Sequence, residues 1–99
     1  MSGALPDGWK TVRLVIHGRV QGVGYRYWAL NEATAQGLDG WVRNRREGTV
    51  EVLVSGPLAA VDAMIEACRD GPPAARVTEI ETFEIDQRPE AGFRQLPTA

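Results

Sequence analysis

Three glycines in seven residues, Gly18, Gly22 and Gly24, stand between an alternating β-branched run and a helix-like segment. Upstream, Lys10 to His17 puts Val12, Leu14 and Ile16 on one face of a strand and Thr11, Arg13, Val15 and His17 on the other. Downstream, Arg26 to Gln36 has Ala29, Leu30 and Ala33 at helical spacing, flanked by Tyr27 and Trp28. Glycine reaches conformations that other residues avoid and lets main-chain N–H groups approach a ligand closely. A helix N-terminus adds unpaired N–H donors and a partial positive charge. A strand, a glycine-rich turn and a helix in that order therefore predict an anion cradle. Arg26 sharpens the reading. A cation in the first helical turn is unfavourable by roughly a few tenths of a kcal/mol, and a bound anion reverses the sign. A phosphate, sulfate or carboxylate shared by Arg26 and the loop amides is the expected ligand.

The rest of the chain sets the frame. Ninety-nine residues, 43% hydrophobic and 24% charged, suit a single globular domain. We expect a disordered lead over residues 1–9 and a domain over 10–97. No run approaches the roughly 18 apolar residues of a membrane span, and Met1 to Gly8 lacks the pattern of a signal peptide. The single Cys68 has no internal disulfide partner, so the cytoplasm is the expected compartment, and a monomer is the default state. Net charge is −2, unevenly spread. Residues 1–46 hold seven basic side chains against three acids, and residues 47–99 four arginines against ten acids. The basic half carries the glycine loop and attracts small anions.

Beyond the first helix, Gly37 is a natural left-handed terminator. Gly40 to Arg46 reads as strand two, Glu47-Gly48 as a hairpin turn, and Thr49 to Val54 as strand three. Ser55-Gly56-Pro57 opens helix two, in which Val61, Met64, Ile65 and Cys68 form a buried stripe. Cys68 is read as a small core residue. Arg76 to Gln87 is strand four, with an ambiguous pattern, and Gly92 to Leu96 is an optional short fifth strand. The order β-α-β-β-α-β is the ferredoxin-like, split βαβ arrangement: an α+β sandwich with an antiparallel sheet and two helices on one face. Strands one and two then run the same way with strand three between them. The glycine loop and Asn44, at the end of strand two, fall at one end of the sheet.

With those residues side by side, a resemblance is plain. Gly18-Arg19-Val20-Gln21-Gly22-Val23-Gly24-Tyr25-Arg26 resembles the G-R-V-Q-G-V-x-[FY]-R signature of the acylphosphatases, and Gly37-Leu38-Asp39-Gly40-Trp41-Val42-Arg43-Asn44 resembles that family's second signature, G-x-x-G-W-V-x-N. The match extends from about Lys10 to Phe93. It implies hydrolysis of a carboxyl–phosphate bond with no cofactor and no metal. It implies that Arg26 and the amides of Gln21, Gly22, Val23, Gly24 and Tyr25 bind the phosphoryl group, and that Asn44 orients the attacking water. Gly24 stands where the family often has a larger residue.

That chemistry suits these residue types. A carboxylate, whose acid has a pKa near 4, leaves without a general acid. What remains is to hold the phosphoryl group and aim a water in line. Arginine offers a permanently charged bidentate fork, and asparagine both donates and accepts. The expected partner is a small acyl phosphate, with no nucleic acid and no membrane. Two alternatives stand beside this one. An RNA-binding module would need aromatics on the two central strands, and Lys10–His17 and Thr49–Val54 offer none. A non-catalytic phosphate sensor would keep the cradle without turnover. Trp41 is expected to pack near the site, and Arg43, Arg45 and Arg46 to be solvated. His17, the only histidine, has no partner suggesting a metal.

Overall fold

The computed structural model describes residues 4–99. Seven elements follow in order: β1 (Trp9–Arg19), α1 (Tyr25–Ala35), β2 (Asp39–Asn44), β3 (Val50–Pro57), α2 (Leu58–Asp70), β4 (Arg76–Ile85) and β5 (Phe93–Gln95). They make one sheet in the order β4-β1-β3-β2-β5. This is the ferredoxin-like α+β architecture expected from the element order.

Register explains the core. Pairing of Val12 with Val54, Leu14 with Val52 and Ile16 with Val50 aligns three apolar layers across β1 and β3. Val42 of β2 pairs with Val52 and extends one layer. Because strand side chains alternate, all of these share one face. Both helices cover it. Ala29 and Ala33 from α1, and Val61, Met64 and Cys68 from α2, join the strand residues in one buried cluster. The stripe predicted on α2 is present, with Ile65 packed at its margin. The stripe on α1 is shifted: Tyr25 is buried and Leu30 is only half-buried.

Three boundaries and one strand direction differ from the sequence expectations, each for a tertiary reason. The lead was expected to run through residue 9. Residues 1–3 lie outside the described residues, but Trp9 already pairs with Pro57, and the Gly8 carbonyl accepts from Leu58 N at 2.9 Å. Ser55-Gly56-Pro57 belongs to β3 rather than to a helix start, because Thr11, Lys10 and Trp9 of β1 pair with it. The β2 ladder stops at Asn44, since Arg45 N turns to the Thr49 carbonyl at 2.9 Å. Finally, the sheet is not wholly antiparallel. β5 runs parallel to β2, with Gly40 opposite Phe93 and Val42 opposite Gln95. β4, antiparallel to β1, ends where β1 and β2 begin. The short segment 86–92 crosses that end of the sheet, and a strand entered from there can only run upward beside β2.

The ambiguous pattern of β4 also has a cause. The β1–β4 register shifts between His17 and Gly18, so Val77 pairs with Gly18 and packs against the core, while Glu79 pairs with His17. Such a bulge bends the strand. Gly18 has φ +121°, and a Cβ there would collide with the Arg76 carbonyl. No helix among the described residues is long and apolar enough to cross a membrane.

Candidate active site

The loop after β1 and the end of β2 meet at one end of the sheet. A pocket of about 140 Å³ opens there, lined by Val20, Gly22, Gly24, Tyr25, Arg26, Tyr27, Asn44 and Gln95. Gly22 and Gly24 both have left-handed backbones, φ +74° and +82°, with open space where a Cβ would stand. Gly24 is the residue from which α1 starts. No side chain caps that helix, and no acidic residue occupies its first turn. The first bond into the helix is Trp28 N to the Gly24 carbonyl at 3.0 Å. The amides of Tyr25, Arg26 and Tyr27 therefore have no intrahelical acceptor. The end of α1 that faces the pocket carries the positive pole of the helix.

Arg26 lines this pocket half-buried, and among the described residues it makes no ion pair or side-chain hydrogen bond. Asn44 reaches it from the other side. Its pairing with Val50 puts it on the face of Val42, under the helices, not on the open face. Its own carbonyl accepts from Ala99 N at 3.0 Å, so the tail after β5 holds the strand end. Among the described residues, Arg26 is the pocket's one lining cation, and no lining residue is acidic. Such a pocket suits an anion of phosphoryl size. Among the described residues, no three His, Cys, Asp or Glu side chains converge as metal ligands would.

The structure brings together five of the sequence-predicted residues, Gly22, Gly24, Tyr25, Arg26 and Asn44. For Tyr25 the expectation concerns the main-chain amide. Its ring is buried and its hydroxyl donates to the Cys68 carbonyl at 2.6 Å, so only its main chain is positioned for a ligand. Gln21 and Val23 are not among the pocket-lining residues. The Val23 side chain packs against the core, and the Gln21 side-chain Nε2 donates to the carbonyls of Arg45 and Thr49 at 2.7 and 2.8 Å. Sequence reasoning missed Val20, Tyr27 and Gln95 as lining residues. Gln95 had no signal, because it reaches the pocket only through the parallel pairing of β5 with β2.

The open face of the sheet corrects two further expectations. Trp41 is not near the pocket: alternation turns it to the opposite face from Asn44, where the Arg43 guanidinium lies 4.7 Å from its ring centre. Arg43 and Arg45 are not freely solvated. Both bind the Glu51 carboxylate, at 2.7 and 3.3 Å, and Arg13 binds it at 3.1 Å. Burial pushes the Glu51 carboxyl up, but the hydrogen bond and charge of Arg43, with Arg13 and Arg45, outweigh it and hold the pKa below the usual value. Arg46 is exposed. His17 Nε2 lies 2.7 Å from Glu81 Oε1, also away from the pocket. An aromatic does stand on a central strand, because β1 begins at Trp9; the Arg88 guanidinium covers that ring at 4.3 Å.

Comparisons with known proteins bear on family and fold. The sequence model of the acylphosphatase family matches residues 12–95. A protein named acylphosphatase from Azorhizobium caulinodans is 58% identical over 89% of this chain and 96% of its own length. One from Rhodospirillum rubrum is 51% identical over 90% of this chain and 98% of its own. The crystal structure of acylphosphatase from Bacillus subtilis superposes with a TM-score of 0.84 at 39% identity, covering 88% of this chain and 98% of that one.

Proposed function

The chain belongs to the acylphosphatase family and is accordingly an enzyme of acyl phosphate hydrolysis; we propose that Arg26 and the loop amides hold the phosphoryl group while Asn44 orients the attacking water. The observation that carries this reading is the convergence of Arg26 and Asn44 on one pocket, at a helix N-terminus that no side chain caps among the described residues.

The substrate's phosphoryl oxygens sit against the amides from Gly22 to Tyr25 and the Arg26 fork. Donors fixed by the backbone fold need little reorganisation as charge shifts among the equatorial oxygens. A water hydrogen-bonded to the Asn44 amide attacks phosphorus opposite the acyl oxygen. A new P–O bond to the water oxygen forms, and the bond between phosphorus and the acyl oxygen breaks. The electron pair of that bond leaves on the carboxylate, a stable anion that needs no proton. The water's proton passes to the phosphate product or to solvent, because an amide is not a base at neutral pH. Positive charge comes from Arg26 and the helix end, so this mechanism calls for no metal ion.

The test is phosphate release from benzoyl phosphate in the presence of a chelator. The intact chain is expected to turn over. Arg26→Ala and Asn44→Ala are each expected to lose about 10²–10³ in rate while unfolding like the parent. Full activity in either variant, or abolition by the chelator, would sink the assignment.

A further inference from the structure

Gln21 sits in the loop, yet its side chain points to the β2–β3 turn. Its Nε2 donates to the Arg45 carbonyl at 2.7 Å and to the Thr49 carbonyl at 2.8 Å, 24 and 28 residues along the chain. Both partners are carbonyls, which only accept, so the amide nitrogen must be the atom that faces them. An amide nitrogen has two N–H groups, and both are used. None remains for a phosphoryl oxygen.

The turn does not need these bonds to close. The Arg45 carbonyl also accepts from Gly48 N at 3.0 Å, and the Thr49 carbonyl from Arg45 N at 2.9 Å. Removing Gln21 therefore orphans neither carbonyl. What the two extra bonds accomplish is a link between segments. One end is the loop that leads to Arg26, and the other is Arg45, the residue directly after Asn44.

We propose that Gln21 is a positioning residue that sets the separation between the phosphoryl cradle and Asn44. The proposal rests on the hydrolytic reading given above. In-line attack needs phosphorus and water held together, and a misplacement of about 1 Å costs on the order of 10²-fold in rate. The loop and the strand end are far apart in sequence. The Gln21 amide bridges them directly, in the half-buried margin of the site.

The experiment is Gln21→Met, which keeps the side-chain length and removes both donors. With benzoyl phosphate, kcat is expected to fall by about 10- to 100-fold. Competitive inhibition by inorganic phosphate, which reads the cradle alone, is expected to stay within about twofold. In an Asn44→Ala background the same substitution is expected to cause no further loss, because the tie acts through Asn44. Gln21→Asn keeps the amide but is one methylene too short; it carries the same expectations if the methionine variant does not fold. Retention of kcat, or an equal loss in both backgrounds with phosphate inhibition weakened in step, overturns the tie and makes Gln21 a spacer or a phosphate ligand. If Arg26→Ala and Asn44→Ala lose activity while Gln21→Met does not, only the tie fails. If the parent chain shows no turnover, the hydrolytic reading fails and takes the tie with it.

Discussion

The Tyr25 hydroxyl donates to the Cys68 carbonyl at 2.6 Å, joining the first residue of α1 to the last turn of α2. The tyrosine is buried, and Gly71 packs against its ring so closely that a Cβ there would overlap it. Arg26 follows Tyr25 directly, so the helix end that carries the candidate phosphate ligand is anchored to the second helix.

Tyr25→Phe keeps the ring and removes the bond. It is expected to destabilise the fold by about 1–2 kcal/mol, lowering the thermal midpoint by about 4–8 °C per kcal/mol. Activity at a permissive temperature is expected to change far less than in Arg26→Ala, because the ring still seats the helix. Thermal unfolding beside kcat checks both halves, and an unchanged midpoint would deny the anchor.

Arg26→Lys keeps the charge and loses the planar fork. We expect kcat/KM for benzoyl phosphate to fall at least about tenfold, or about 1.4 kcal/mol of transition-state stabilisation. Inorganic phosphate should still inhibit better than in Arg26→Ala. Parent-like kcat/KM would mean that charge alone suffices.

Gly40 and Gly22 both have positive φ but differ in surroundings. At Gly40, φ +134°, a Cβ would collide with the Leu53 carbonyl of the paired strand; at Gly22, φ +74°, space is open. Gly22→Ala is expected to cost about 1–2 kcal/mol of backbone strain. Gly40→Ala adds displacement of a strand and is expected to exceed about 4 kcal/mol. Urea midpoints of the two variants give the comparison, and equal losses would contradict it.

Glu51 predicts a pH dependence of stability. Its folded pKa is held below that of the unfolded chain, so its contribution is fully present above the unfolded value, about 4.3, and is lost as pH falls through the folded value. Glu51→Gln removes the charge that holds Arg13, Arg43 and Arg45. It is expected to destabilise by about 1–3 kcal/mol at pH 7, with the gap to the parent closing below about pH 4. A gap that stays constant with pH would deny the assigned charge state.

Cys68 lies in the core with its thiol pushed up to about 12, chiefly by burial. Alkylation follows the thiolate, so the native chain at pH 8 is expected to resist iodoacetamide and the urea-unfolded chain to react. Rapid native labelling would mean that α2 opens readily.

Much of this was legible in the residues because local physics decides it. Alternation in Val12–Leu14–Ile16 and Val50–Val52–Val54 marks strands with one buried face, and Val61–Met64–Cys68 marks a helix stripe. Gly22 and Gly24 mark the turn into α1 because turn conformation is set within a few residues. Two family signatures led to Asn44. The remainder was hidden because it depends on partners distant in sequence. Ser55 reads as part of a helix start until β1 pairs with it and Thr11 lies 2.7 Å from its hydroxyl. Arg43 and Arg45 read as solvated until β3 presents Glu51 beneath them.

The sequence by itself determined the local turn and the architecture: a glycine-rich helix start within a split βαβ sandwich. Both follow from backbone preference, side-chain period and element order, which neighbouring residues suffice to set. Only the tertiary structure decided which atoms face the pocket. Strand register turned Asn44 inward and Trp41 outward, and the crossing segment brought β5 and Gln95 to the site. The Gln21 side-chain amide bonded across to the β2–β3 turn. Those outcomes rest on pairings and hydrogen bonds between segments tens of residues apart, which exist only once the chain has closed on itself.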